Sequence, residues 1–163
     1  MALCAATMIL VHAAAASPLN HQQKTELLAA HNKYRVELGL TPLVWSDRLA
    51  VSAQAWAEHL ANRVHALVHS GTVGIGENLA VSTAGHTPLP NLVHLWGDEK
   101  QHFVNADFPH VSRTGDWKAV GHYTQVVWRK TREVGCGFAT GGGQDYLVCH
   151  YYPRGNMMGE GVF

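Results

Sequence analysis

The clearest periodic signal lies near the N-terminal end of the chain. Leu27, Leu28, His31, Tyr34 and Leu38 recur at helical spacing between about Asn20 and Leu38, and Gly39 follows as a stop. The pattern predicts a helix. A loop opens at Thr41-Pro42. Ser46 is a good N-cap for a second helix reaching about Asn62, with Leu49, Ala53, Trp56, Ala57 and Leu60 on one apolar face. Residues 63–87 hold Gly71, Gly74, Gly76 and Gly85 without a clear period, so an irregular connection is expected there. A third helix is expected from about Pro90 to Phe103, carrying Leu92, Leu95, Trp96 and Glu99. Residues 104–120 read as a long loop, and long loops without structure of their own are often functional. A short helix is expected over His122–Trp128.

The period then changes from helical to alternating. Glu133–Thr140 and Gln144–Tyr151 are β-rich runs separated by Gly141-Gly142-Gly143, which reads as a hairpin. If Gly142-Gly143 forms a two-residue turn, Gly141 pairs with Gln144 and Cys136 falls opposite Cys149. A non-hydrogen-bonded antiparallel pair sets Cα atoms about 4.5 Å apart, within reach of a disulfide. A three-residue turn would shift that pairing by one. Helices followed by a short antiparallel sheet argue for an α+β domain.

Composition narrows the class. The 163 residues suffice for one domain with a sizeable core. Lys plus Arg equals Asp plus Glu at 12 each, which removes any electrostatic reason to expect nucleic-acid binding. Histidine is abundant, also at 12, and imidazole both ligates metals and titrates near neutrality. The first 16 residues, MALCAATMILVHAAAA, are uncharged, contain an apolar run and end on small residues. They read as a signal peptide cleaved near Ala16–Ser17, too short to span a bilayer, and imply a secreted, extracellular protein occupying residues 17–163. Loss of Cys4 with that peptide leaves Cys136 and Cys149, an even count consistent with one disulfide.

Several short motifs then point one way. Gly121-His122-Tyr123-Thr124-Gln125-Val126-Val127-Trp128 and Cys149-His150-Tyr151-Tyr152-Pro153-Arg154-Gly155-Asn156 resemble the two signatures of the CAP superfamily. That superfamily groups cysteine-rich secretory proteins, antigen 5 proteins and plant pathogenesis-related proteins. His69-Ser70-Gly71 with Gly76-Glu77-Asn78-Leu79, and His31-Asn32 with Arg35, add further matches in the family's order. Trp96 with Asp98-Glu99-Lys100 resembles the plant pathogenesis-related branch. The resemblance implies a three-layer α-β-α sandwich with a central cleft. It also implies that His69, Glu77, Glu99 and His122 converge there, which their spacing along the chain cannot show.

Two imidazoles with two carboxylates suit Zn²⁺ or a similar divalent ion. His69 and His122 would then be direct ligands, with Glu77 and Glu99 orienting them or holding a bound water. The alternative is a metal-free polar network whose members satisfy one another. His31 reads as a packed core residue, and His150 should face away from Cys149 by strand alternation. The resemblance further implies a defence or host-interaction role with sterol or another lipid as ligand. The lipid would be taken by the 103–117 loop through Phe103, Phe108 and Trp117. A metal-dependent hydrolase or protease using the cleft, and a non-catalytic interaction scaffold, are the competing readings.

Overall fold

The computed structural model describes residues 18–163. The proposed signal peptide lies outside the described residues. Helix α1 spans His21–Glu37 and opens on a capping box, in which Asn20 accepts from the Gln23 amide and the Gln23 side chain accepts from the Asn20 amide. Strand β1 is the two-residue Val44–Trp45. Helix α2 runs Asp47–His59 and continues into a wider turn at Leu60–Val64. Strand β2 is Gly76–Thr83, and α3 is Leu89–Asp98, tightening into a 3₁₀ turn over Glu99–His102. Helix α4 is the short Gly121–Val126. Strands β3, Glu133–Gly141, and β4, Gln144–Tyr152, close the chain's regular structure.

The four strands lie in the order β1-β3-β4-β2, with β1 parallel to β3 and the other pairs antiparallel. Gly142 and Gly143 both take positive φ, as the expected two-residue turn requires, and Gly141 pairs with Gln144. Cys136 therefore pairs with Cys149, and the two are joined in a disulfide. Helix α2 covers one face of the sheet, where Ala53, Ala57 and Leu60 pack on Leu79, Ala139, Tyr146 and Val148. Helices α1, α3 and α4 cover the other, burying Leu27, Leu92, Trp96 and Trp128 against Leu147, Cys149 and Tyr151. The result is the expected α-β-α sandwich.

The sheet differs from the sequence expectation at one strand. Residues 76–83 are not an irregular connection but the eight-residue strand β2, paired to β4 along its whole length. Its glycine-rich approach and the polar Glu77-Asn78 hide the strand, because both of its faces are filled by tertiary contacts rather than one by solvent. In the 103–117 loop, Phe108 is only 2% exposed and sits against Trp117 and Trp128, at ring separations of 5.1 and 6.4 Å. Phe103 packs on Tyr123 and Phe163 and is partly buried, as is Trp117.

Helix α2 approaches β3 closely because β3 presents glycine at that face. A Cβ on Gly135 would lie 2.3 Å from the Ala50 amide, and one on Gly137 would lie 2.2 Å from the Gln54 Cα. Gln54 adds the missing edge bonds. Its side-chain amide donates to the Phe138 carbonyl and accepts from the Phe138 amide, where β3 runs past the end of β1.

Arg35 is the largest charged group in the interior and is fully buried. Among the described residues, no carboxylate meets it. Its guanidinium donates to the carbonyls of Thr41, Val126, Trp128 and Thr131 at 2.9–3.1 Å. Burial, and behind it the charge of Arg132, pull its pKa down to about 10, so it remains a cation at neutral pH. Arg35→Met should cost about 3–5 kcal/mol in urea unfolding, since several buried carbonyls lose their donor at roughly 1–3 kcal/mol each with partial rescue by water. A loss below about 1 kcal/mol would show that those carbonyls find other donors.

Candidate functional site

The site is built at the free edge of β2. Strand alternation sends Glu77 to the α2 face and Asn78 to the opposite face, where its side-chain amide donates to the His122 carbonyl at 3.1 Å. The loop before β2 brings His69 to Glu77, with Nδ1 2.6 Å from Oε1. The same oxygen accepts from the Ser70 backbone amide at 2.9 Å. The start of the 3₁₀ turn after α3 brings Glu99 to the N-terminal end of α4. There Oε1 lies 2.6 Å from His122 Nδ1, and Oε2 accepts from the amides of His122 and Tyr123, both at 3.0 Å. The His122 ring stacks near Trp96 with the planes 19° apart.

The four residues implied by the resemblance thus form two imidazole–carboxylate pairs. In each pair Nδ1 faces the carboxylate and Nε2 is the nitrogen left over. Among the described residues, no three donor atoms of this set lie within 4.8 Å of one another. The only described trio that does is His31, Cys136 and Cys149. Its sulfurs are joined to each other, so neither offers the thiolate that a metal would take. His31 is buried as expected, between the Leu27 carbonyl at 2.7 Å and the Tyr151 hydroxyl at 2.8 Å. Burial, partly opposed by the Leu27 bond, lowers its pKa to about 4 and keeps it neutral.

A further histidine, missed from sequence, joins the His69–Glu77 pair from behind. His150 is 1% exposed, faces away from Cys149, and lies with Nε2 2.9 Å from Glu77 Oε2. The signal for it was the β2–β4 pairing, which sets Glu77 directly across from His150 and stays hidden while β2 is unrecognised. Ser70, beside His69, is instead bonded to Thr72 through its hydroxyl. Gln125 turns inward, accepting from the Gly155 amide and donating to Thr131.

Two hollows flank Glu77. One of about 170 Å³ is lined by His69, Ser70, Gly71, Thr72 and Ile75. The other, about 400 Å³, lies between Gly76, Gln125, Arg154 and Met158. No described helix is long and apolar enough to cross a membrane.

The cysteine-rich secretory protein family model, CAP, matches residues 28–151, which include His69, Glu77, Glu99 and His122. The chain belongs to the CAP family. It is 40% identical over 146 residues to pathogenesis-related protein 1A of Nicotiana tabacum, covering 88% of this chain and 82% of the relative. It is 32% identical over 172 residues to venom allergen 5 of Vespa velutina, covering 91% and 83%. A crystal structure of NaASP2 with Zn²⁺ superposes with a TM-score of 0.76 at 23% identity, covering 88% and 86%, and supports the CAP fold.

The electrostatics of the site centre on Glu77. Burial alone would raise its pKa, but bonds from His150, His69 and Ser70 outweigh that and hold it well below the usual carboxylate range. Glu77 in turn raises His69 through their hydrogen bond, against a smaller opposing effect of burial. The signs follow by linkage. The depressed carboxylate stabilises the fold above about pH 4.5, and this is lost as pH falls toward its folded value. The raised imidazole stabilises the fold below about pH 6.5, and this is lost as pH rises through its folded value. The pair therefore contributes most between those limits. Urea midpoints at pH 3, 5.5 and 8 should show a maximum at 5.5 that is flattened in Glu77→Gln. An unchanged profile in that variant would assign the pH dependence to other groups.

Proposed function

We propose that this CAP protein is a secreted defence- or host-interaction protein whose cleft takes a divalent cation such as Zn²⁺ through His69 and His122. The observation that carries the reading is the orientation of the two imidazoles. Each Nδ1 is bonded to a carboxylate at 2.6 Å, which fixes the ring and leaves Nε2 as the electron-pair donor. Carboxylate-backed histidine is the usual outer arrangement of a protein metal ligand. Two protein donors leave the remaining positions to water or to a ligand carried by the ion, as in open rather than structural sites. NaASP2, a protein of the same fold, has been crystallised with Zn²⁺, which supports the choice of ion.

Sterol or other lipid binding by the 103–117 loop is the second reading. It rests on Phe103 and Trp117, which keep part of their surface outside the core. Phe108 already fills a buried position and supports the loop from within.

Titration calorimetry with Zn²⁺ at neutral pH separates the two. His69→Ala or His122→Ala should weaken binding at least tenfold, and the double substitution should abolish the cleft's share of it. Equal binding by the double variant would remove the metal reading and leave the many surface histidines as the ligands. Phe103→Ala with Trp117→Ala should leave Zn²⁺ binding intact and eliminate sterol binding. If the folded parent takes no sterol, the lipid reading is wrong.

A further inference from the structure

The two carboxylates of the cleft are anchored differently. Glu99 leans on backbone, since its second oxygen accepts the His122 and Tyr123 amides. Among the bonds to Glu77, the second oxygen has only a side chain, the imidazole of His150. That imidazole is itself held from behind. Ser52 of α2 places Oγ 2.8 Å from His150 Nδ1, and the same Oγ lies 2.9 Å from the Leu49 carbonyl. Gly135 is the partner of His150 on β3 and brings no side chain to that face. The α2 backbone closes in over that bare position at Leu49 and Ala50, and Ser52 comes within reach of the ring.

The proton positions along this chain follow from hydrogen-bond chemistry. An ionised carboxylate only accepts, so His150 presents Nε2–H to Glu77. The Ser52 hydroxyl proton goes to the Leu49 carbonyl, which can only accept, and the Ser52 oxygen meets Nδ1 from behind the ring. Glu77, fixed at Oε2, turns Oε1 toward His69 and the Ser70 amide. His69 is then held with Nδ1–H toward the protein.

We infer that His150 and Ser52 are positioning residues, and that the chain Ser52–His150–Glu77 selects the His69 tautomer whose Nε2 lone pair opens to the cleft. Neither residue faces a cleft ligand directly. Their effect passes through one carboxylate and reaches His69 but not His122. The metal arm of the test rests on the function proposed above, whereas the tautomer arm does not.

The experiment is long-range ¹H–¹⁵N correlation of the histidine rings in the metal-free protein, at a pH above the point where the His69 ring shifts stop changing. In the parent, His69 should be mainly the Nδ1–H form. In His150→Leu it should shift toward the Nε2–H form, with His122 unchanged as an internal reference. His150→Gln retains a side-chain N–H for Glu77 Oε2 and should restore the parental tautomer. Ser52→Ala should shift His69 in the same direction by a smaller amount, and it decides the matter if His150→Leu does not fold. Zn²⁺ affinity should fall about 10–100-fold in His150→Leu and recover in His150→Gln. A residue that matters only for stability would lower the unfolding midpoint without moving the tautomer, and that result overturns the inference. So does failure of the folded glutamine variant to restore it. If parent and variants alike bind no Zn²⁺, the metal reading fails while the ring spectra still decide the role of His150.

Discussion

Four carbonyl oxygens from three stretches of chain converge on the guanidinium of Arg35, and much of the CAP architecture is referred to that point. A buried cation without a counter-ion is costly, so it persists where its N–H groups find acceptors. The Arg35 side chain makes four such bonds, all to backbone carbonyls. It thereby ties α1 to the loop that follows it, to the end of α4 and to the entry into β3. The end of α4 matters most for function, because His122 is the second residue of that helix. A six-residue helix has little stability of its own. Its position is set by Arg35 at one end and by Glu99 accepting its first amides at the other.

The cleft shares the same economy of parts. Each of its imidazoles is steered by a carboxylate, and each carboxylate is steered by something more rigid. For Glu99 this is the start of a helix. For Glu77 it is an imidazole wedged under α2. The edge strand between the pairs contributes to both, with Glu77 on one face and Asn78 on the other. The two pairs thus stand on either side of one edge strand, which no further described strand covers.

Much of this was legible in the sequence, and the exceptions share a cause. The first helix reads directly because its apolar spacing and the Gly39 stop agree. The hairpin reads directly because two glycines at positive φ specify the turn, and the register then delivers the disulfide. Strand β2 does not read, because it is shielded on both faces and lacks simple alternation. Losing β2 also loses His150, whose relation to Glu77 exists only in strand pairing. The burial of Phe108 is hidden for the same kind of reason. Composition marks it as an aromatic on a loop, but whether that loop folds back onto Trp128 is decided by distant packing. The convergence of His69 with Glu77, and of Glu99 with His122, came from resemblance to the CAP family and not from spacing.

The glycines of β3 carry a consequence for how the chain assembles. Gly135, Gly137 and Gly141 leave the α2 side of that strand almost bare, and glycine is a poor strand former when isolated. The β3–β4 hairpin therefore has little to hold it on that side until a helix is seated there. Helix α2 lies far upstream and is already synthesised when β3 emerges. It can act as the template on which the bare strand is laid down, so the order of folding would run from the helix to the sheet. The cysteines, paired across the middle of that hairpin, would then lock the register that the Gly142-Gly143 turn sets.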